Sequence, residues 1–130
     1  MTHFSHASAP LVHLTLGENT CVVSLFGGHV LSYTQSGVEK LFVSKQAKLD
    51  GSRPIRGGIP VCWPWFGPDP EELGRPGHGF VRNRLWKMVS TSVTNDGDIK
   101  VILGLEDSAE TKNIWPYSFV LTQEITVGQS

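Results

Sequence analysis

Between Arg53 and Arg84 the sequence reads RPIRGGIPVCWPWFGPDPEELGRPGHGFVRNR, and the side chains with most chemical capacity are concentrated there. His78 stands between Gly77 and Gly79. Flanking glycines permit an unusual bend and leave an imidazole uncrowded, and imidazole exchanges protons near neutral pH. Arg56 precedes Gly57 and Gly58, so a cation adjoins backbone that can approach a ligand closely. A guanidinium fork suits phosphate or carboxylate. Arg82 and Arg84 follow at alternate positions, which on a strand would share one face. One of them could join Arg56 in an anion pocket, leaving the other as a surface charge. Trp63, Trp65 and Phe66 lie in a proline-rich extended run, where aromatic faces can receive the C–H face of a sugar ring. Each reading has a plainer alternative: a solvent-facing Arg56, or aromatics that fill a core. Trp63 and Trp65 are expected to divide between wall and core.

The remaining titratable residues offer less. His3, His6, His13 and His29 have no metal-ligand partner at a useful spacing and are read as structural or solvated, so no metal site is expected. Cys21 and Cys62 form no C-x-x-C pair and suggest neither a zinc site nor a disulfide framework. Gly27-Gly28 belongs to no nucleotide-binding fingerprint, and there is no G-x-S-x-G elbow.

The segments that must carry these residues read as β-structure. LVHLTL (11–16), TCVVSLF (20–26), HVLSYTQ (29–35) and VEKLFV (38–43) are short strands punctuated by Gly-containing turns. SKQAKLD (44–50) could form a helical turn. RLWKMVSTSVT (84–94) reads as a strand with apolar residues at alternate positions, Leu85 apart. A turn at Asn95–Asp98 leads into IKVILGL, which pairs back across it. A short helix is expected from the Ser108 N-cap to Pro116, then a last strand, SFVLTQEITV. About seven strands and no long amphipathic helix give an all-β class, a sandwich or open barrel. Residues 1–10 read as a flexible tail and 11–130 as one domain.

Composition narrows the function. With 11 basic and 12 acidic residues the net charge is −1, without the broad basic excess of a nucleic-acid or membrane-surface binder. Hydrophobic residues make up 39%, enough for a packed core. The N-terminus lacks a secretory pattern and no apolar run approaches a membrane span, so a soluble cytoplasmic protein is expected.

Together, GGHVLSY, KLDGSRPIRGGIPVCWPWFGP, GHGFVRNRLW and IWPYSF resemble the hexose-6-phosphate mutarotases (glucose-6-phosphate 1-epimerases), a branch of the aldose 1-epimerase or galactose mutarotase-like superfamily. The resemblance covers nearly all of residues 22–127. It implies an antiparallel β-sandwich of the galactose mutarotase-like kind, incomplete in this chain. It also implies interconversion of the α and β anomers of a hexose 6-phosphate, without cofactor or metal. On the family pattern, Arg56 and Arg82 match arginines that contact substrate or phosphate. His78 matches a histidine lining the sugar site, and Trp65 and Phe66 match its aromatic wall.

The sequence also departs from that pattern. Family members are much longer, with a catalytic histidine in a later strand and a catalytic glutamate near the C-terminus. No histidine follows His78, Glu124 has no family motif around it, and Tyr117 stands where many members have histidine. The resemblance therefore implies the substrate-binding half of a site, with no catalytic residue assigned beyond His78 as a candidate. The chain would be a fragment, or a half that needs another chain. The alternative is an inactive sugar-phosphate-binding module, or a module that self-associates through an open sheet edge.

Overall fold

In the computed structural model, residues 10–41 and 57–128 are described. Alternation of apolar and polar side chains builds the first sheet. Val12 and Leu14 turn inward from β1 (Leu11–Leu16), while His13 and Thr15 face solvent. β2 (Asn19–Ser24) pairs antiparallel with β1 and with β3 (His29–Gln35), and β4 (Val38–Glu39) closes the order β1-β2-β3-β4. The fourth strand is thus shorter than VEKLFV suggested. Its last two residues, and the expected helical turn at 44–50, lie outside the described residues, as do residues 1–9.

The second sheet has the order β5-β6-β7, from β5 (Lys87–Val93), β6 (Ile99–Glu106) and β7 (Val120–Val127). Between β6 and β7 lies α1 (Ala109–Ile114). Ser108 caps it as expected, and Thr111 answers by accepting the Ser108 N–H on its hydroxyl, which satisfies both backbone donors at the helix start.

The two sheets share one core. Val12, Leu14, Cys21, Val23 and Val30 from the first meet Val101, Leu103 and Val127 from the second, with Phe80, Val81 and Trp86 between them. Trp86 is 1% exposed and donates its indole N–H to the Val81 carbonyl at 3.0 Å, so its polar edge is satisfied inside the core. Burial, with the Glu39 charge adding to it, pushes the Cys21 thiol up to about 11.

Two expectations for the segment after Phe80 are corrected. Val81–Asn83 is a 3-10 turn, not the start of a strand, so Arg82 and Arg84 do not share a face. The turn forms because Phe80 and Val81 are drawn into the core while the chain reverses. β5 is a strand, but every residue in it is exposed, including Val89 at 61% and Val93 at 71%. It pairs only with β6, and its register shifts between Met88 and Ser90, so neither of its faces is covered among the described residues.

One buried polar residue ties the sheets together. Asn19, 2% exposed, donates from Nδ2 to the Gly128 carbonyl at 2.7 Å and accepts the Ser36 N–H on Oδ1 at 3.0 Å. Asn19→Ala would leave both backbone partners short of a bond, and burying an unpaired group costs about 1–3 kcal/mol. Urea unfolding of the variant is expected to show a lower midpoint with an unchanged slope.

Candidate functional site

The site is a loop clasped at its base. After Gly57 the chain runs antiparallel beside β3, with Ile59 N–H donating to the Val30 carbonyl at 2.8 Å. Gly58 is glycine because of this packing: a Cβ there would lie 2.1 Å from the Val30 oxygen. The close approach that the R-G-G run permits is made, at Gly58, to β3 and not to a ligand as expected. Further on, Trp63 bridges Gly79, and the Phe80 N–H donates to the Trp63 carbonyl at 3.1 Å. Between these points Gly67 and His78 face each other. The His78 N–H donates to the Gly67 carbonyl at 2.7 Å, and the Gly67 N–H donates to His78 Nδ1 at 3.0 Å.

This double clasp defines His78. Its φ of 62° is left-handed, as the flanking glycines suggested. Because Nδ1 accepts from the backbone, the ring proton sits on Nε2, which leaves Nε2–H as a donor to whatever lies before it. The Phe66 ring stands 4.9 Å from the imidazole, tilted by 57°, and is 81% exposed. An open aromatic face and a hydrogen-bond donor therefore stand side by side. Phe66→Ala removes that face without disturbing the core. Its unfolding free energy is expected to stay within about 0.5 kcal/mol of wild type, while affinity for a sugar ring falls. Parallel denaturation and ligand titration would check both halves.

Trp65 lies beneath the loop, half-buried. Its indole N–H donates to the Pro76 carbonyl at 2.9 Å, and the Arg75 guanidinium lies 4.4 Å from its ring centre. Trp63 stands 4.9 Å from Phe119 and 5.1 Å from Trp115; it and Trp65 are both partly buried against the core, so burial does not divide them into wall and core.

Arg82 returns toward the clasp, donating from Nη2 to the Gly77 carbonyl at 3.2 Å. Its Nε is buried and has no hydrogen-bond partner among the described residues. An inner guanidinium N–H left unpaired costs stability unless something accepts from it. Arg84 takes a different course and pairs with the exposed Glu110 at 2.5 Å, but its side chain is only 24% exposed and its buried Nε also lacks a partner among the described residues, so it is not the free surface charge expected of one of the two arginines. Arg56 lies outside the described residues.

His29, read as structural or solvated, is 2% exposed and its Nε2 bonds the Gly57 carbonyl at 2.5 Å. Burial holds its pKa below the ordinary histidine value. The bond to Gly57 opposes that shift, and the charge of Arg82 adds to it. His29 and Arg82 therefore share one neighbourhood, beside the backbone that follows Arg56. Sequence reasoning also passed over Asp69 and Arg75, which hold the loop together. The available signal was an aspartate between two prolines followed by glycine and arginine, an arrangement typical of a side-chain-stabilised turn. Among the described residues no three His, Cys, Asp or Glu side chains gather as a metal site would require.

Comparison with known proteins places this geometry in context. The family model described as Aldose 1-epimerase matches residues 10–130. An Escherichia coli (strain K12) protein named "Putative glucose-6-phosphate 1-epimerase" is 41% identical over 108 residues, which are 82% of this chain and 36% of that protein. A Cenchrus ciliaris protein of the same name is 37% identical over 124 residues, 87% of this chain and 35% of its own length. The crystal structure of a "putative mutarotase" from Salmonella typhimurium superposes with a TM-score of 0.83 at 32% identity, covering 91% of this chain and 40% of that one. The chain thus spans a little over a third of the length of the curated relatives it matches.

Proposed function

Because the chain belongs to the aldose 1-epimerase family, we propose that it supplies the substrate-binding half of a site that interconverts the α and β anomers of a hexose 6-phosphate. The observation that carries this reading is the grouping of Phe66, His78 and Arg82 around one rigid clasp. A hexose ring would lie against Phe66, with its C–H face on the aromatic ring. The Nε2–H of His78 would donate to a sugar oxygen. The phosphate would meet Arg82, whose buried Nε lacks an acceptor among the described residues, and Arg56. Trp65 would support this wall from beneath through Pro76.

The chemistry asks for two further groups. A base takes the proton from the anomeric hydroxyl and an acid protonates the ring oxygen. The ring opens to an aldehyde, C1 turns, and closure on the other face gives the second anomer. The Nδ1 of His78 is engaged with the Gly67 N–H, so the residue serves to hold the sugar rather than to take a proton at that nitrogen. The proton-transfer pair would come from residues outside this chain. Exchange NMR on glucose 6-phosphate tests the assignment. The chain alone is expected to bind the sugar without speeding anomer exchange. Acceleration by the chain alone would refute the placement of acid and base elsewhere.

The assembly alternative draws on the exposed β5 edge and its Val89 and Val93. Sedimentation at the monomer value across protein concentrations would remove it.

A further inference from the structure

Within the loop that joins Gly67 to His78, the Asp69 side chain is only 5% exposed and gathers five donors. Oδ1 accepts the Glu71 N–H at 3.0 Å and Arg75 Nη2 at 2.7 Å. Oδ2 accepts the Leu73 N–H at 2.9 Å, the Arg75 N–H at 3.1 Å and Arg75 Nε at 3.0 Å. The pairing is bidentate, the geometry in which arginine and carboxylate bind most specifically. The guanidinium, first among several donors, holds the Asp69 carboxyl well below the usual carboxylate range, so the clamp keeps its charge across the physiological range. Arg75 is itself anchored: Nη1 donates to the Ile114 carbonyl at 3.3 Å and the guanidinium lies over Trp65.

From this clamp the two arms to the clasp are short. Pro68 alone separates Asp69 from Gly67, and Pro76 and Gly77 separate Arg75 from His78. Prolines fix φ in both arms, so a position set at Asp69 and Arg75 is passed to the clasp with little slack. We propose that Asp69 is a positioning residue for His78: its clamp on Arg75 sets the Gly67–His78 separation, and with it the imidazole tautomer that presents Nε2–H. The proposal deepens the reading above, on which His78 faces the sugar, and names what fixes its donor.

The test uses the 130-residue chain labelled with nitrogen-15. Multiple-bond correlation spectra at pH 8, where a free imidazole is neutral, distinguish the two tautomers. His78→Gln identifies the His78 signals. Wild type is expected to show His78 with the proton on Nε2. Asp69→Asn keeps the shape of the side chain but turns an acceptor toward donor. It is expected to mix the two tautomers and to weaken glucose 6-phosphate binding about two- to tenfold, the range for one poorly aligned hydrogen bond. Arg75→Gln leaves the backbone bonds to Asp69 in place and decides the matter should Asp69→Asn not fold. It is expected to shift the tautomers in the same direction. Glu71→Gln, which keeps the backbone N–H bond to Asp69 and alters only an exposed carboxylate 3.3 Å from Arg75, should leave the spectrum unchanged. A folded Asp69→Asn or Arg75→Gln protein with the wild-type His78 pattern would overturn the proposal, as would a wild-type ring protonated on Nδ1. If the tautomer shifts in the variants but wild type binds no sugar phosphate, the positioning role stands and the substrate reading falls.

Discussion

Arg82→Ala is expected to weaken glucose 6-phosphate binding by about ten- to a hundredfold. A hydrogen bond to a charged group contributes about 1.5–3 kcal/mol, and each 1.4 kcal/mol is a factor of ten in affinity. The side chain has few competing duties: one 3.2 Å bond to Gly77 and a buried Nε without a partner among the described residues. Beyond the Gly77 bond its guanidinium makes no hydrogen bond among the described residues. The loss should be much smaller for glucose, which lacks the phosphate. Arg82→Lys keeps the charge but not the planar fork, and should recover only part of the affinity. Calorimetric titration of both sugars into the three proteins would check this. Equal losses for glucose and its phosphate would place Arg82 on the wrong part of the substrate.

Gly79→Ala is expected to have the larger effect on stability. A Cβ at this position would lie 1.9 Å from the Trp63 carbonyl oxygen, and φ is 77°. The obstacle is backbone, which cannot rotate away like a side chain. Relief requires breaking the Phe80-to-Trp63 hydrogen bond that joins the two arms of the site. Left-handed strain of about 1–2 kcal/mol and a lost hydrogen bond of about 0.5–1.5 kcal/mol give a destabilisation of roughly 1.5–3.5 kcal/mol. That is a large part of the 5–15 kcal/mol typical of a folded domain. Gly97→Ala supplies the comparison. Gly97 has a similar φ of 84° but open space where the methyl would go, so it should cost only the conformational strain. Urea denaturation of both variants separates clash from strain. Equal costs would show that the Trp63–Gly79 contact is loose.

Much of this fold is legible in single residues. Val12 and Leu14 alternate with His13 and Thr15, and the structure buries the first pair and exposes the second. Ser108 announced the start of α1 by its capping chemistry. The G-H-G run announced a bend, and His78 has the positive φ that such a run allows. What stayed hidden depends on partners distant in sequence or on burial. Apolar residues recur along 84–94 as they would in a half-buried strand. Only the sheet order shows that β5 is an edge without cover among the described residues. Arg82 and Arg84 looked equivalent by spacing. They separate because the core takes Phe80 and Val81, which coils the chain into a 3-10 turn. The Asp69 clamp stayed hidden because its donors are backbone N–H groups and an arginine six residues on, which only the folded turn brings together.

Whether the Gly67–His78 clasp and Arg82 form a hexose-phosphate site is tested most directly by residue-resolved NMR. Glucose 6-phosphate is titrated into the folded, nitrogen-15-labelled chain, with glucose and inorganic phosphate as references. The expected result is saturable perturbation of the Phe66, Gly67, His78 and Arg82 resonances, at lower concentration for glucose 6-phosphate than for either reference. A folded chain whose resonances at these four positions do not move would contradict it.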